Sequence, residues 1–197
     1  MPTDKQLSFT AYMLINGHSL IALDEATDRP VIVPHPARPE GLEVSQALGA
    51  LGGADEDWEQ DRNDGLIDFH VVSDVSPTEF YFRHSEGLYR LYVRSGKYLN
   101  HGVFMTAEGV PQACPIDGVD PCAWQLRHAH NNQAVDLSNL PTDFAMINLE
   151  EAATGASLSM TLIGQGNGGY LTAGYAPSGT QLRLNILARD VDWLSAS

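Results

Sequence analysis

Cysteine and basic side chains are both scarce in this sequence. Its 197 residues include two cysteines, Cys114 and Cys122, which are too few for a disulfide framework and wrongly spaced for a zinc knuckle. A disulfide between them across the Pro/Gly loop is sterically possible, but two reduced thiols are expected in a cytosol. No metal or other cofactor is predicted. Eleven Lys and Arg residues stand against 25 Asp and Glu residues, and the net charge of −14 argues against a nucleic-acid partner.

Long apolar runs are absent as well. No stretch approaches the length that a transmembrane helix needs, so no membrane span is predicted. The residues after Met1 include neither the basic segment nor the apolar segment that opens a secretory signal peptide. A cytoplasmic location, or export without a classical signal peptide, is the expectation.

The sequence does contain many short strand patterns, of which the stretch Leu88–Gly102 is the clearest. Apolar and polar side chains alternate there, and Ser95-Gly96 supplies a turn before the next strand. The alternation predicts two strand faces, one with Tyr89, Leu91 and Val93 and the other with Arg90, Tyr92 and Arg94.

Helical patterns are almost absent. Apolar residues at helical spacing predict one short helix within Glu40–Leu51, and the acidic segment Asp55–Asp61 is predicted to be a solvated loop. Short strands at near-regular spacing, separated by turn residues, favour a single all-β domain over residues 1–197, either a barrel or a sandwich.

Parts of the sequence recur three times. A turn followed by Leu occurs at Gly17–Leu20, at Gly96–Leu99 and at Gly168–Leu171. The three tryptophans, Trp58, Trp124 and Trp193, fall one to a unit. The sequence therefore predicts three pseudo-repeats, at about 1–62, 63–130 and 131–197.

Threefold repetition in an all-β chain resembles the β-trefoil superfamily, in which each unit carries a turn, an apolar residue with Leu, and a closing Trp-x-Leu strand. Trp124-Gln125-Leu126 matches the closing strand, and Trp193-Leu194 ends the chain where the last strand of a trefoil ends. The resemblance implies a lectin-like, ricin-B-like architecture with inserted loops, although the Gln-x-Trp sugar-binding pattern of ricin-type units is missing. A β-sandwich is the alternative fold.

Candidate ligand-binding residues lie in two places. Lectin-like trefoils bind sugars in shallow pockets beside their turns, so the resemblance implies binding by Asn100 and His101 in the second unit and by Tyr175 in the third. Arg90, Tyr92 and Arg94 place guanidinium groups beside an aromatic ring, which suits a carboxylated or sulfated ligand. A solvated strand face is the plainer interpretation of these three side chains.

Two further motifs are interpreted as hairpin turns. Gly17-His18-Ser19 is similar to the nucleophile elbow of hydrolases but lacks its final glycine. Gly164–Gly169 lacks the following helix that a phosphate-binding loop needs. His18 lies beside the same kind of turn as His101 and is not assigned to a site.

A non-enzymatic binding module, most readily for carbohydrate, is the leading hypothesis for the function. The alternative is a protein-binding module: a protease inhibitor that presents the loop Pro111–Pro121, or a cytoskeletal cross-linker. An enzyme ranks last, because the sequence assigns no nucleophile–base pair and no metal triad. The predicted partner is thus a glycan or a protein, and the sequence does not determine the oligomeric state.

Overall fold

The structure, a computed structural model, describes residues 1–72, 74–174 and 179–192 and is all-β. Two short helices are present, α1 (Asp4–Leu7) and α2 (Asp55–Asn63), together with 3-10 turns at Leu23–Glu25 and Leu137–Asn139. The strands, in chain order, are β1 (Phe9–Ile15), β2 (His18–Ser19), β3 (Ile21–Ala22), β4 (Ile32–His35), β5 (Arg38–Glu43), β6 (Leu48–Leu51), β7 (Phe80–Ser85), β8 (Leu88–Val93), β9 (Gly102–Met105), β10 (Pro111–Cys114), β11 (Ala123–His128), β12 (Phe144–Glu151), β13 (Leu158–Ile163), β14 (Gly168–Ala173) and β15 (Leu182–Arg189).

Six strands close into an antiparallel barrel. The order around the ring is β1, β7, β8, β11, β12 and β15, and the ring closes because β1 pairs with both β7 and β15. Closure leaves no unpaired edge strand within the ring, which removes the usual template for edge-to-edge association. No helix in the described part of the chain is long and apolar enough to cross a membrane.

Alternate side chains of the barrel strands fill its interior, as the period of two requires. The rings of Phe9 and Phe82 stack across β1 and β7 with centroids 4.5 Å apart, and Tyr89 meets both rings edge-on. Leu91, Val93, Trp124 and Leu126 join them in one core that excludes water. The predicted strand face of Tyr89, Leu91 and Val93 is confirmed as buried.

A second sheet lies at one end of the barrel. Its antiparallel order is β13-β14-β6-β3, and residues such as Ala22, Leu48 and Leu171 pack from it into the barrel core. The β4–β5 hairpin and α2 enclose a smaller second core that contains Trp58 and Phe69, whose rings are 6.2 Å apart. The turn that follows β1 and the turn between β13 and β14 meet along the edge of this second sheet.

The all-β class is confirmed, but the β-trefoil resemblance is wrong, and the lectin-like, ricin-B-like architecture is wrong with it. The structure is a closed six-stranded antiparallel barrel with additional strands, not three equivalent units. Two pairs of the additional strands, β3–β6 and β13–β14, share a separate sheet, whereas β9–β10 continues the barrel sheet. The closed ring differs from the alternative β-sandwich too.

The tryptophan spacing misled the sequence interpretation. Trp58 lies on α2 and packs against Phe69, not on a closing strand, while Trp193 lies outside the described residues. Of the three, Trp124 is on a barrel strand. The pseudo-repeats are not confirmed, because the spans 1–62, 63–130 and 131–197 contain one, three and two barrel strands respectively.

Two local predictions also fail. The helix predicted within Glu40–Leu51 is absent, since β5 and β6 occupy that stretch with two glycines that weaken a helix. The acidic segment Asp55–Asp61 is helical and not a loop, because three carboxylates in its first turn suit the positive end of a helix dipole. The buried Trp58 anchors that helix to the second core.

Candidate functional site

The turn between β1 and β2, which we call the first turn (residues 16–18), is a tight hairpin. Asn16 and Gly17 both have positive φ, +50° and +83°, the conformation that a two-residue hairpin turn of the primed type requires. Ile15 and His18 pair directly across it. The turn therefore holds Asn16 and His18 close together at the end of the barrel.

The turn between β13 and β14, which we call the glycine loop (residues 164–167), faces the first turn. Gly164 and Gly166 have positive φ, so the chain reverses without side chains that would fill the space between the turns. The loop is held by α2 and its C-cap residue: the backbone N–H of Gln165 donates to Asp61 Oδ2 at 3.1 Å, and its side-chain amide donates to Oδ2 of the C-cap Asp64 at 3.0 Å.

A cavity of about 430 Å³ lies between these two turns. Its volume is within the range of small-ligand sites in proteins. Apolar side chains of β1, β6 and β13 form its walls, polar uncharged side chains project from the turns, and backbone fills the remainder. The lining consists of Ile15, Asn16, His18, Ala50, Gly52, Gly53, Met160, Leu162, Gly166, Asn167, Gly168 and Thr180.

Glycine after β6 lets the backbone approach His18. A β-carbon at position 52 would lie 2.5 Å from Nε2 of that imidazole, so only glycine leaves the ring where it is. Gly53 has a φ of +104°, a conformation that side chains rarely adopt. These two glycines shape the wall of the cavity between the first turn and the glycine loop, Gly52 beside His18 and Gly53 beside Asn167.

The described lining contains no Asp, Glu, Lys or Arg. Amide, imidazole and hydroxyl groups offer both hydrogen-bond donors and acceptors, while Met160 and Leu162 offer apolar surface. Such a lining can hold an uncharged ligand with several hydroxyl or amide groups. His18 is its one imidazole in the described part, and no hydrogen bond joins that ring to the hydroxyl of Thr180, which accepts from the backbone N–H of Met160.

A larger groove, of about 630 Å³, lies beside the β4–β5 hairpin. Its lining includes Arg38, Glu40 and Asp68, together with the prolines of the hairpin. Arg38 is already ion-paired with Glu108. Mixed charges and an open, proline-rich edge make this groove a less specific site than the cavity between the two turns.

Asn100 and His101 belong to the turn that follows β8, which we call the second turn (residues 94–101). Asn100 has a φ of +68°, and His101 places Nδ1 3.3 Å from the carbonyl oxygen of Leu99 and its ring 5.2 Å from that of Tyr98. Neither residue lines the cavity between the first turn and the glycine loop. Their role in ligand binding stays a prediction.

The side chains of Arg90 and Tyr92 share the outer face of β8, and Arg94 directly follows that strand at the start of the second turn. Arg90 donates to the carbonyl oxygen of Pro121, and the Arg94 guanidinium lies over the ring of Tyr81, 5.8 Å from its centroid. Tyr92 is 2% exposed, and burial raises its pKa above the ordinary value. The three residues are thus partly covered by neighbouring segments, and their ligand role remains a prediction.

Tyr175, the remaining predicted site residue, lies outside the described residues. Sequence reasoning instead missed His18, Asn16 and Asn167, which the fold brings together. The available signal was the presence of two glycine-containing turns in the sequence, at Gly17-His18-Ser19 and at Gly164–Gly169. Each of them was interpreted as a plain hairpin. Nothing in the sequence indicated that the two turns face each other.

Metal binding finds no support in the described residues, where no three His, Cys, Asp or Glu side chains come close enough to hold an ion. Both cysteines are free.

Comparison of the chain with models of protein families, with curated proteins and with solved structures finds no match.

Proposed function

We propose that this chain is a non-enzymatic binding module for a neutral carbohydrate, held in the cavity between the first turn and the glycine loop. The observation that carries the proposal is the composition of the described lining, which combines amide, imidazole and hydroxyl side chains with apolar walls and has no Asp, Glu, Lys or Arg.

A saccharide presents hydroxyl groups around its ring and apolar C–H groups on its faces. Side chains of Asn16, His18, Asn167 and Thr180 supply hydrogen-bond partners for the hydroxyls. The apolar walls suit the C–H faces. An ion would gain no opposite charge in such a cavity and would lose its hydration.

The absence of a paired catalytic group from the described lining supports a binding role. Acid–base and nucleophilic catalysis need two side chains within hydrogen-bond reach, such as a carboxylate or hydroxyl beside an imidazole. The His18 imidazole forms no hydrogen bond with a carboxylate or a hydroxyl of the described lining residues, and the hydroxyl of Thr180 accepts from the backbone N–H of Met160. The imidazole therefore serves as a hydrogen-bonding group in this proposal.

Calorimetric titration with methyl glycosides of glucose, galactose, mannose and N-acetylglucosamine tests the proposal. We expect at least one to bind, and we expect His18→Ala to weaken that binding about tenfold, the effect of losing one hydrogen bond to a ligand. His101→Ala is the matched control, because the same residue type follows a similar turn away from the cavity.

Failure of all four glycosides to bind would overturn the proposal. A loss of binding in His101→Ala, with His18→Ala unchanged, would move the site to the second turn and to Asn100 and His101.

The loop at residues 115–121 favours protein binding as a second candidate function. Val119 is 64% exposed at its tip, and Arg90 holds its base through the carbonyl oxygen of Pro121. A rigid loop with an exposed apolar side chain suits insertion into a partner protein. Inhibition of a protease panel that disappears in Val119→Asp would support this alternative.

A further inference from the structure

Asp61 is a buried carboxylate that faces the glycine loop from α2. It is 1% exposed, and it forms no ion pair with any described cation. It lies near the negative end of the helix dipole, which disfavours an acidic side chain. A carboxylate in such an unfavourable place needs a specific partner to explain it.

The partners of Asp61 are both in the glycine loop. Its Oδ2 accepts from the backbone N–H of Gln165 at 3.1 Å and from Nδ2 of Asn167 at 3.4 Å. Position 164 must be glycine, because a β-carbon there would overlap Oδ2 of Asp61. Asp61 therefore holds both the backbone and one side chain of the loop.

The contact with Asp61 determines which end of the Asn167 amide faces away from α2. A carboxylate only accepts hydrogen bonds, so it attracts the NH₂ group of Asn167 and repels its carbonyl oxygen. A β-carbon at position 53 would lie 3.1 Å from Cβ and 3.4 Å from Oδ1 of Asn167, so the carbonyl oxygen, and not the NH₂ group, is the end of the amide beside Gly53. Both Gly53 and Asn167 line the cavity.

We infer that Asp61 is a positioning residue that holds Asn167 with its carbonyl oxygen towards the cavity, so that the site accepts a hydrogen bond from a ligand hydroxyl. The choice of hydroxyl as the ligand group rests on the proposed carbohydrate function. The orientation of Asn167 rests on the geometry alone.

Hydrogen exchange of side-chain amides, followed by NMR on ¹⁵N-labelled protein without ligand, tests the orientation. The Asn167 signal is assigned by its loss in Asn167→Ala. Asn16 is the internal control, because its amide lines the same cavity without a partner among the described residues. We expect the NH₂ protons of Asn167 to exchange about tenfold more slowly than those of Asn16, as one additional hydrogen bond predicts.

Two variants at position 61 separate the role of an acceptor from that of a charge. Asp61→Asn retains an oxygen at the position of Oδ2 and should keep the slow exchange of Asn167. Asp61→Ala removes the acceptor and should abolish it. Equal exchange of Asn167 and Asn16 in the wild type overturns the inference, even if Asp61→Ala fails to fold.

Binding of the methyl glycosides adds a second readout. Asp61→Asn should bind within about twofold of the wild type, and Asn167→Ala should bind about tenfold more weakly, since it loses the acceptor. If the wild type binds none of them while Asn167 exchanges slowly, the proposed function fails and the orientation stands. Slow exchange with unchanged binding in Asn167→Ala overturns the role of Asn167 in the site.

Discussion

The first and second turns have similar sequences and opposite surroundings. Both place a glycine and a histidine at the end of a barrel strand, β1 or β8. The first turn opens on the cavity, where the side chain of Asn16 has no partner among the described residues and the His18 ring lies close to Gly52. The second turn is held against the 3-10 turn Leu23–Glu25 by short hydrogen bonds and an ion pair.

These contacts are short and involve charges. Asp24 Oδ2 accepts from Lys97 Nζ and from the hydroxyl of Tyr98, each at 2.6 Å, and Glu25 Oε1 accepts from the backbone N–H of Lys97 at 2.7 Å. Tyr98 is 6% exposed. The segment packed against a turn therefore determines whether the polar groups of that turn stabilise the fold or remain available to a ligand.

Replacing Asp24 with alanine should have the largest effect on the second turn. The buried hydroxyl of Tyr98 loses its acceptor and Lys97 loses its ion pair, so the free energy of unfolding should fall by about 2–4 kcal/mol. Most of that comes from Tyr98, because the Lys97 side chain is 57% exposed and solvent screens its charge. Urea denaturation measures the change.

Asp24→Asn is the matched control, since it keeps an acceptor and removes the charge, and its loss should be smaller. Glycoside binding at 25 °C should be unaffected in both variants. A loss below about 1 kcal/mol in Asp24→Ala would contradict the view that this carboxylate fastens the second turn.

Two glycine substitutions should give opposite results in the two regions. Gly52→Ala places a methyl group against the His18 imidazole, so we expect glycoside binding to weaken about tenfold with little change in stability. Gly96→Ala puts a side chain at a φ of +73° and against the Glu25 carboxylate, so stability should fall by about 1–2 kcal/mol with binding unchanged. Calorimetry and urea denaturation on both proteins measure the two effects.

The crossed design contains its own control, because each variant serves as the reference for the other. If Gly52→Ala lost stability and retained binding, the cavity would not be the binding site. Loss of binding in Gly96→Ala alone would favour the second turn.

Sequence patterns predicted the parts of the fold that depend on local alternation. The buried face of Tyr89, Leu91 and Val93 follows from a period of two. The burial of Tyr92 on the opposite face does not follow from that period, because neighbouring segments of the chain cover that face. Barrel closure depends on β1 pairing with both β15 and β7, contacts between distant segments that no local pattern contains.

The candidate site was harder to predict for the same reason. Asn16 and His18 meet Asn167 only after the chain has completed most of the barrel. The sequence identified the two turns as hairpins and could not show that they face each other. The trefoil resemblance predicted a ligand role for His101 instead, in a turn that Asp24 and Glu25 hold through Lys97 and Tyr98.

Alkaline pH should change the contribution of the second turn to stability and leave that of the first turn unchanged. Burial, together with donation of its hydroxyl to Asp24, raises the pKa of Tyr98, and hydrogen bonding to Asp24 raises that of Lys97. Tyr98→Phe should cost about 1 kcal/mol at neutral pH, the value of one hydrogen bond. A raised pKa in the folded state means that this contribution is complete below the unfolded value near ~10 and is lost as pH rises towards the folded value.

The difference in urea midpoint between wild type and Tyr98→Phe should therefore shrink as the pH rises above about 10. The difference between wild type and His18→Ala should stay constant over the same rise in pH, because no described tyrosine or lysine lines the first turn's cavity. A constant difference for Tyr98→Phe would mean that its hydroxyl does not hold the second turn. The contrast between the turns would then depend on Lys97 and Glu25 alone.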